Sequence, residues 1–186
     1  MESNFPNKNN FLLASRTLSP TGSKNSSSDE EASPDACMGY YGVICFNGCV
    51  NRLNITTASV IGTLHEFAFS SLPFLDYVDL SMNQLSGTIP PEIGKIPPQI
   101  GSLKNLEVLH IYVNQLNGSI PGEIGHLSPL TRLDLSTNVL NGSIPVSLEN
   151  LNNLLYFHLY ENQLSSSIAA EIGKLINLVE LYLDRN

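Results

Sequence analysis

Long apolar runs are missing from this 186-residue chain, and near its start the longest is Phe11–Ala14. A membrane-spanning helix needs about 20 apolar residues and a secretory leader an apolar core of at least about 7. The chain as written is therefore expected to carry neither. Positive charge is also scarce, with nine lysines and arginines against 17 aspartates and glutamates and a net charge of −8. Residues 37–186 hold 12 acidic and 6 basic side chains. Nucleic-acid binders displace counterions with a basic stripe, so that balance excludes nucleic acid as a partner. Tryptophan is absent, and cysteine is limited to Cys37, Cys45 and Cys49. Three cysteines cannot all pair internally, which leaves a reactive thiol or an intermolecular bridge open. No histidine stands at ligand spacing from them, which argues against a zinc site. No metal and no cofactor are expected.

What the chain has in abundance is repetition. Asn83, Asn114, Asn138, Asn162 and Asn186 each follow a leucine- or isoleucine-rich strand-like segment, and the last four lie 24 residues apart. A fixed period in the twenties with the pattern L-x-x-L-x-L-x-x-N-x-L marks a leucine-rich-repeat solenoid, whose turns bury their apolar faces only by stacking. The expected fold class is α/β: a right-handed horseshoe with a parallel β-sheet on its concave face.

Within a turn such as Arg132-Leu-Asp-Leu-Ser136 the side chains alternate, which is strand periodicity. Leu133 and Leu135 are expected inward, and Arg132, Asp134 and Ser136 outward. Each buried leucine contributes roughly 1.5 to 3 kcal/mol. The asparagines leave the strand among leucines, so their amides need backbone partners, and an unpaired one would cost about 1 to 3 kcal/mol. They are read as a ladder closing successive loops.

A second signature follows each asparagine: Leu85-Ser-Gly87-Thr-Ile89-Pro90, Leu116-Asn-Gly118-Ser-Ile120-Pro121, Leu140-Asn-Gly142-Ser-Ile144-Pro145 and the degenerate Leu164-Ser-Ser166-Ser-Ile168-Ala169. This L-x-G-x-I-P element resembles the plant-specific class of leucine-rich repeats. With Gly62-Thr-Leu-His-Glu-Phe67, the chain over residues 37–186 is similar to the extracellular half of plant leucine-rich-repeat receptor-like kinases. That resemblance implies a peptide or protein ligand, a co-receptor as a candidate second partner, and a cell-surface or extracellular location. It also implies an N-terminal cap at residues 37–49, in which Cys37 and Cys45 flank Tyr41-Gly-Val43 and pair with one another. Such a short loop would stabilise by roughly 2 to 3 kcal/mol. Cys49 is then left over.

Residues 1–36, with eight serines and five asparagines, are too polar to bury a core and are expected to be disordered. Residues 50–186 then form about six turns, the first with Ala58 in the asparagine's place. Sequons at Asn25, Asn54, Asn117 and Asn141 fit an extracellular glycoprotein. Asn117 and Asn141 occupy equivalent flank positions.

The candidate ligand face consists of the outward strand positions Tyr77, Asp79, His110, Tyr112, Arg132, Asp134, Tyr156, His158, Tyr160 and Tyr182, with Ser81 and Ser136 also outward. Five of the seven tyrosines fall here. Tyrosine combines apolar area with a hydrogen-bonding tip and collects at recognition surfaces, although it also favours any exposed strand. Phe67, Phe69 and Phe74 are expected to pack the convex side. One column runs Asp79, His110, Asp134, His158, Tyr182, so that His110 and His158 flank Asp134. Ser136, His110 and Asp134 invite comparison with a hydrolase triad, but no Gly-rich nucleophile turn or oxyanion hole accompanies them, and no enzyme is expected.

The pattern breaks once. Asn83 and Asn114 are 31 residues apart because Ile89-Pro-Pro-Glu-Ile-Gly-Lys95 is followed by Ile96-Pro-Pro-Gln-Ile-Gly-Ser102. A one-residue slip of the next strand would turn its leucines to solvent, whereas loop length costs only about 0.6 kcal/mol per doubling. The strands around Val78 and Leu109 are thus expected to pair directly, with Glu92 to Gln99 bulging away from the core. The chain ends half-way through a turn, as a fragment or truncated product would. Binding through the concave face is the function implied. An inhibitor of a secreted enzyme, resembling polygalacturonase-inhibiting proteins, and a truncated inactive receptor product are the alternatives.

Overall fold

The computed structural model describes residues 41–67, 69, 72–94, 103, 105–165 and 170–186. The Ser/Asn-rich segment 1–36 with Asn25, Cys37, residues 95–102 and the degenerate copy at 166–169 lie outside the described residues. From Tyr77 onward each turn begins with a three-residue strand whose central apolar residue points inward. The strands are β1 (Val43–Phe46), β2 (Cys49–Asn54), β4 (Tyr77–Asp79), β6 (Val108–His110), β8 (Arg132–Asp134), β10 (Tyr156–His158) and β12 (Glu180–Tyr182), and they form one sheet in that order. β1 runs antiparallel to β2 and all later neighbours are parallel. The β1–β2 hairpin turns at Asn47 and Gly48, with φ of 52° and 73°, the two left-handed positions that a type I′ turn requires.

A second sheet lies on the flank after the asparagines, built from β3 (Ile61–Thr63), β5 (Gln84–Thr88), β7 (Gln115–Ser119), β9 (Val139–Gly142) and β11 (Gln163–Leu164). The leading L-x-G of the L-x-G-x-I-P element thus lies in a strand. Its glycine takes a left-handed φ, +72° at Gly118, where a Cβ would lie 2.8 Å from Thr88 Cγ2. Short 3-10 turns close the convex side at Pro91–Ile93, Gly122–His126, Val146–Asn150 and Ala170–Lys174.

The core is a single file of leucines between these layers. Leu80, Leu85, Leu106, Leu109, Leu116, Leu130, Leu135, Leu140 and Leu154 are fully buried. Phe67 and Phe69 are buried and stacked, with ring centroids 5.7 Å apart. Phe74, expected to pack with them, is 46% exposed. Its carbonyl accepts a bond from Asn51 Nδ2.

The asparagine ladder is complete. Asn83, Asn114, Asn138, Asn162 and Asn186 each accept, through Oδ1, a backbone N–H of the preceding turn, from Val60, Leu85, Leu116, Leu140 and Leu164 respectively. Their Nδ2 groups donate to carbonyls of their own strand end and of the turn before, as Asn138 does to Leu135, Ser136 and Ile111. The residue ahead of each asparagine is forced left-handed, with φ of 55° at Met82, 50° at Val113, 51° at Thr137, 53° at Glu161 and 54° at Arg185.

The seven-residue repetition leaves the sheet intact, since Val78 pairs with Leu109 and Asp79 with His110. The expected bulge from Glu92 starts too early. Ile93 is 1% exposed, and Gly94 lies so close to the next turn that a Cβ would meet Glu123 O at 1.9 Å. Glu92 to Gly94 therefore belong to the packed turn, and the rest of the expected bulge, residues 95–99, lies outside the described residues.

The concave face as the candidate functional site

Strand register sorts the outward side chains into columns. The first holds Arg52, Tyr77, Val108, Arg132, Tyr156 and Glu180, and the second Asn54, Asp79, His110, Asp134, His158 and Tyr182. Arg52 lies over the Tyr77 ring at 4.9 Å and Arg132 over Tyr156 at 4.6 Å, so cation–π contact fixes both guanidinium groups. Arg52 also pairs with Asp76 at 3.2 Å.

Rings accumulate around the two histidines. His110 contacts Tyr77 and Tyr112 at centroid distances of 6.2 and 6.1 Å, and His158 contacts Tyr182 and Tyr160 at 4.8 and 6.5 Å. The structure thus gathers Tyr77, His110 and Tyr112 into one cluster and His158, Tyr160 and Tyr182 into a second, with Arg132 and Tyr156 beside it.

The aspartates behave differently from the outward reading. Asp79 is 7% exposed, and Ser81 and Ser136 are fully buried. Alternation places these side chains on the concave side, but Asp79 Oδ1 folds back to accept the Ser81 N–H at 3.0 Å. Asp134 Oδ1 likewise accepts the Ser136 N–H at 3.0 Å and its hydroxyl at 2.5 Å. Both carboxylates cap their own strand ends from beneath the face. A motif visible in the sequence could have revealed this, because Asp79-x-Ser81 and Asp134-x-Ser136 alternate with His110-x-Tyr112 and His158-x-Tyr160.

Asp134 is also not shared between the histidines. Each imidazole turns to the aspartate of the preceding turn, His110 Nδ1 to Asp79 Oδ2 at 3.7 Å and His158 Nδ1 to Asp134 Oδ2 at 3.3 Å. His158 Nε2 lies 3.4 Å from Glu180 Oε2 but is not aligned for a hydrogen bond. Burial by itself raises the Asp79 pKa. The adjacent His110 and the Ser81 backbone N–H outweigh it and hold the carboxyl well below the usual carboxylate range. Burial, followed by the Asp79 and Asp134 carboxylates, pushes the Tyr112 hydroxyl up. Burial and Asp79 do the same to Tyr77.

A hydrolytic triad is not assembled. Ser136 spends its buried hydroxyl on Asp134, while His110 faces Asp79. Among the described residues no group of three His, Cys, Asp or Glu side chains converges as a metal site, and no helix is long and apolar enough to cross a membrane. At the N-terminal cap Cys45 is disulfide-bonded and Cys49 is free.

The Leucine Rich Repeat family pattern matches residues 74–103, 105–127 and 129–151. The solved leucine-rich-repeat ectodomain of the receptor kinase SOBIR1 from Arabidopsis thaliana is 34% identical, with a TM-score of 0.65, over 80% of this chain and 81% of that one. The chain belongs to the leucine-rich-repeat ectodomains of plant receptor kinases. Within this receptor-kinase family, MDIS1-interacting receptor like kinase 2 of Arabidopsis thaliana is 52% identical over 59 residues, 32% of this chain. That match spans 6% of the relative's own length. The Arabidopsis receptor kinase HAESA, solved in complex with the peptide hormone IDA and the co-receptor SERK1, is 28% identical with a TM-score of 0.65 over 79% of this chain and 28% of that one.

Proposed function

We propose that this chain is a ligand-recognising stretch of a receptor-kinase ectodomain, acting at the cell surface or in the extracellular space and carrying out no catalysis itself. Its partners are a peptide or protein ligand and, as for the HAESA complex, a co-receptor. The observation that carries this reading is the pair of tyrosine–histidine clusters, around His110 and His158, on one unbroken parallel sheet. Aromatic side chains held by packed neighbours offer contact area at low entropic cost. Arg132, Tyr156, Tyr160 and Tyr182 extend the contact surface, and Asp79 and Asp134 position the histidines from below.

The secreted chain is screened against arrayed synthetic plant peptides and co-receptor ectodomains, and the strongest binder is then titrated against variants. Alanine at Tyr112, His158 or Tyr160 is expected to weaken it by about 2 kcal/mol for any that is a hot spot, while Glu149→Ala on the convex side leaves it unchanged. Retained affinity in the triple alanine variant, with loss in the convex one, removes the concave assignment.

A further inference from the structure

We infer that Asn54 is an N-glycosylation site whose glycan stands on the concave sheet and closes its N-terminal end, so that it borders the ligand face at the Arg52–Tyr77 stack. The sequons among the described residues divide between the two sheets. Asn117 and Asn141 lie exposed in β7 and β9 of the second sheet, away from the tyrosine columns. Asn54 instead ends β2, in register with Asp79, and heads the column that continues through His110 and Asp134. It is exposed where Asp79 is buried.

The local geometry suits the modification. Asn54 Oδ1 accepts the Thr56 N–H at 3.1 Å and the Thr56 hydroxyl at 2.9 Å. The sequon hydroxyl is thus already held against the amide, and Nδ2, the atom that takes the sugar, has no protein partner among the described residues. Asp79 and Asp134 make the same strand-end cap with a carboxylate. A cap alone therefore does not require asparagine, and only at this turn does it leave a nitrogen free. With strands about 4.8 Å apart, the glycan root lies one strand from Asp79 and two from His110. A branched oligosaccharide there covers Arg52 and Tyr77 before it reaches the first histidine.

This inference rests on the extracellular ligand-binding reading, but its test contains no ligand. The full chain is fused to a secretory leader and expressed in plant cells, and occupancy of each sequon is read by glycopeptide mass spectrometry. Hydroxyl-radical oxidation of Tyr77 and Tyr182 is then compared in the unsubstituted chain, Asn54→Gln, Thr56→Ala and Asn117→Gln. The expected result is an occupied Asn54, with Tyr77 oxidised severalfold faster in Asn54→Gln and in Thr56→Ala. Tyr182 should be unchanged throughout, and Asn117→Gln should behave as the unsubstituted chain. An unmodified Asn54, or equal Tyr77 rates with and without its sequon, overturns the inference while leaving the ligand-binding reading intact. Conversely, loss of the concave ligand assignment leaves a measured glycan at Asn54 in place.

Discussion

Asn138 Oδ1 accepts the backbone N–H of Leu116 at 3.0 Å, while its Nδ2 reaches Ile111 O at 3.1 Å, so one amide ties the beginning and the end of the preceding loop. Replacing it with alanine strands the Leu116 N–H, while Ile111 O, Leu135 O and Ser136 O lose one donor each and keep Asn114, Asn162 and the Val113 N–H respectively, and an unsatisfied buried group costs about 1 to 3 kcal/mol. Asn138→Ala is expected to lower the urea unfolding midpoint accordingly. Asn138→Asp keeps the acceptor but has no N–H to give the carbonyls, and should be at least as damaging at neutral pH. If either variant unfolds like the unsubstituted chain, the ladder is not a stabilising element.

Val113 sits at φ 50°, a left-handed conformation in which its branched Cβ crowds the backbone, at a cost of roughly 1 to 2 kcal/mol. Its side chain is 39% exposed, so little packing compensates. Val113→Asn, which tolerates that conformation, is expected to stabilise the fold by about 1 kcal/mol, seen as a raised melting temperature. A lowered melting temperature would mean that Val113 packs against something its exposure does not reveal.

The pH dependence follows from Asp79, whose folded pKa is depressed. Its unfolded value is about 3.9. Below that, the unfolded chain binds a proton that the folded chain does not, so stability rises with pH. The contribution of Asp79 is fully present above about pH 3.9 and is lost as the pH falls towards the folded value. Asp79→Asn should be less stable than the unsubstituted chain at pH 6, and the two urea midpoints should converge as the solution is acidified. Parallel profiles would show that the carboxylate gains nothing from His110 and the Ser81 N–H.

Much of this architecture is legible in the sequence, because solenoid geometry translates period directly into position. The asparagines predict the ladder, and the alternation in Arg132-Leu-Asp-Leu-Ser136 predicts the concave side that Tyr77, His110, Tyr112 and His158 share. Alternation gives only the side of the sheet, however. It does not reveal that Asp79 folds back onto Ser81, which only the Asp-x-Ser spacing hints at, nor that His110 chooses Asp79 over Asp134, which depends on side-chain rotamers between turns. The second sheet is hidden for a different reason. Glycine at positive φ in Leu116-Asn-Gly118-Ser reads as a turn, yet Gly118 lies within a strand paired on both sides. Phe74 is misread because its apolar character says nothing about whether the neighbouring turn reaches far enough to cover it.

Removing residues 95–101 provides the strictest test of register. The deletion joins Ile93-Gly94 to Ser102-Leu103, the same order as Ile124-Gly125-His126-Leu127 one turn later, and restores a 24-residue interval between Asn83 and Asn114. Ile93 and Leu103 are both core residues, at 1% and 2% exposure, and Val78 already pairs with Leu109 across the surplus. Nothing in the sheet has to move. Loop shortening changes closure entropy by only about 0.6 kcal/mol per halving, so the deleted chain should unfold cooperatively with a stability within about 1 kcal/mol of the original. Deleting six residues in place of seven leaves the junction one residue too long, but the loop absorbs that as well. A single residue inserted between Leu106 and Leu109 is different, because it inverts the inward and outward faces of a strand and should abolish cooperative unfolding. If the seven-residue deletion proves as damaging as that insertion, the surplus segment is itself part of the fold, and the continuity of the concave face depends on it.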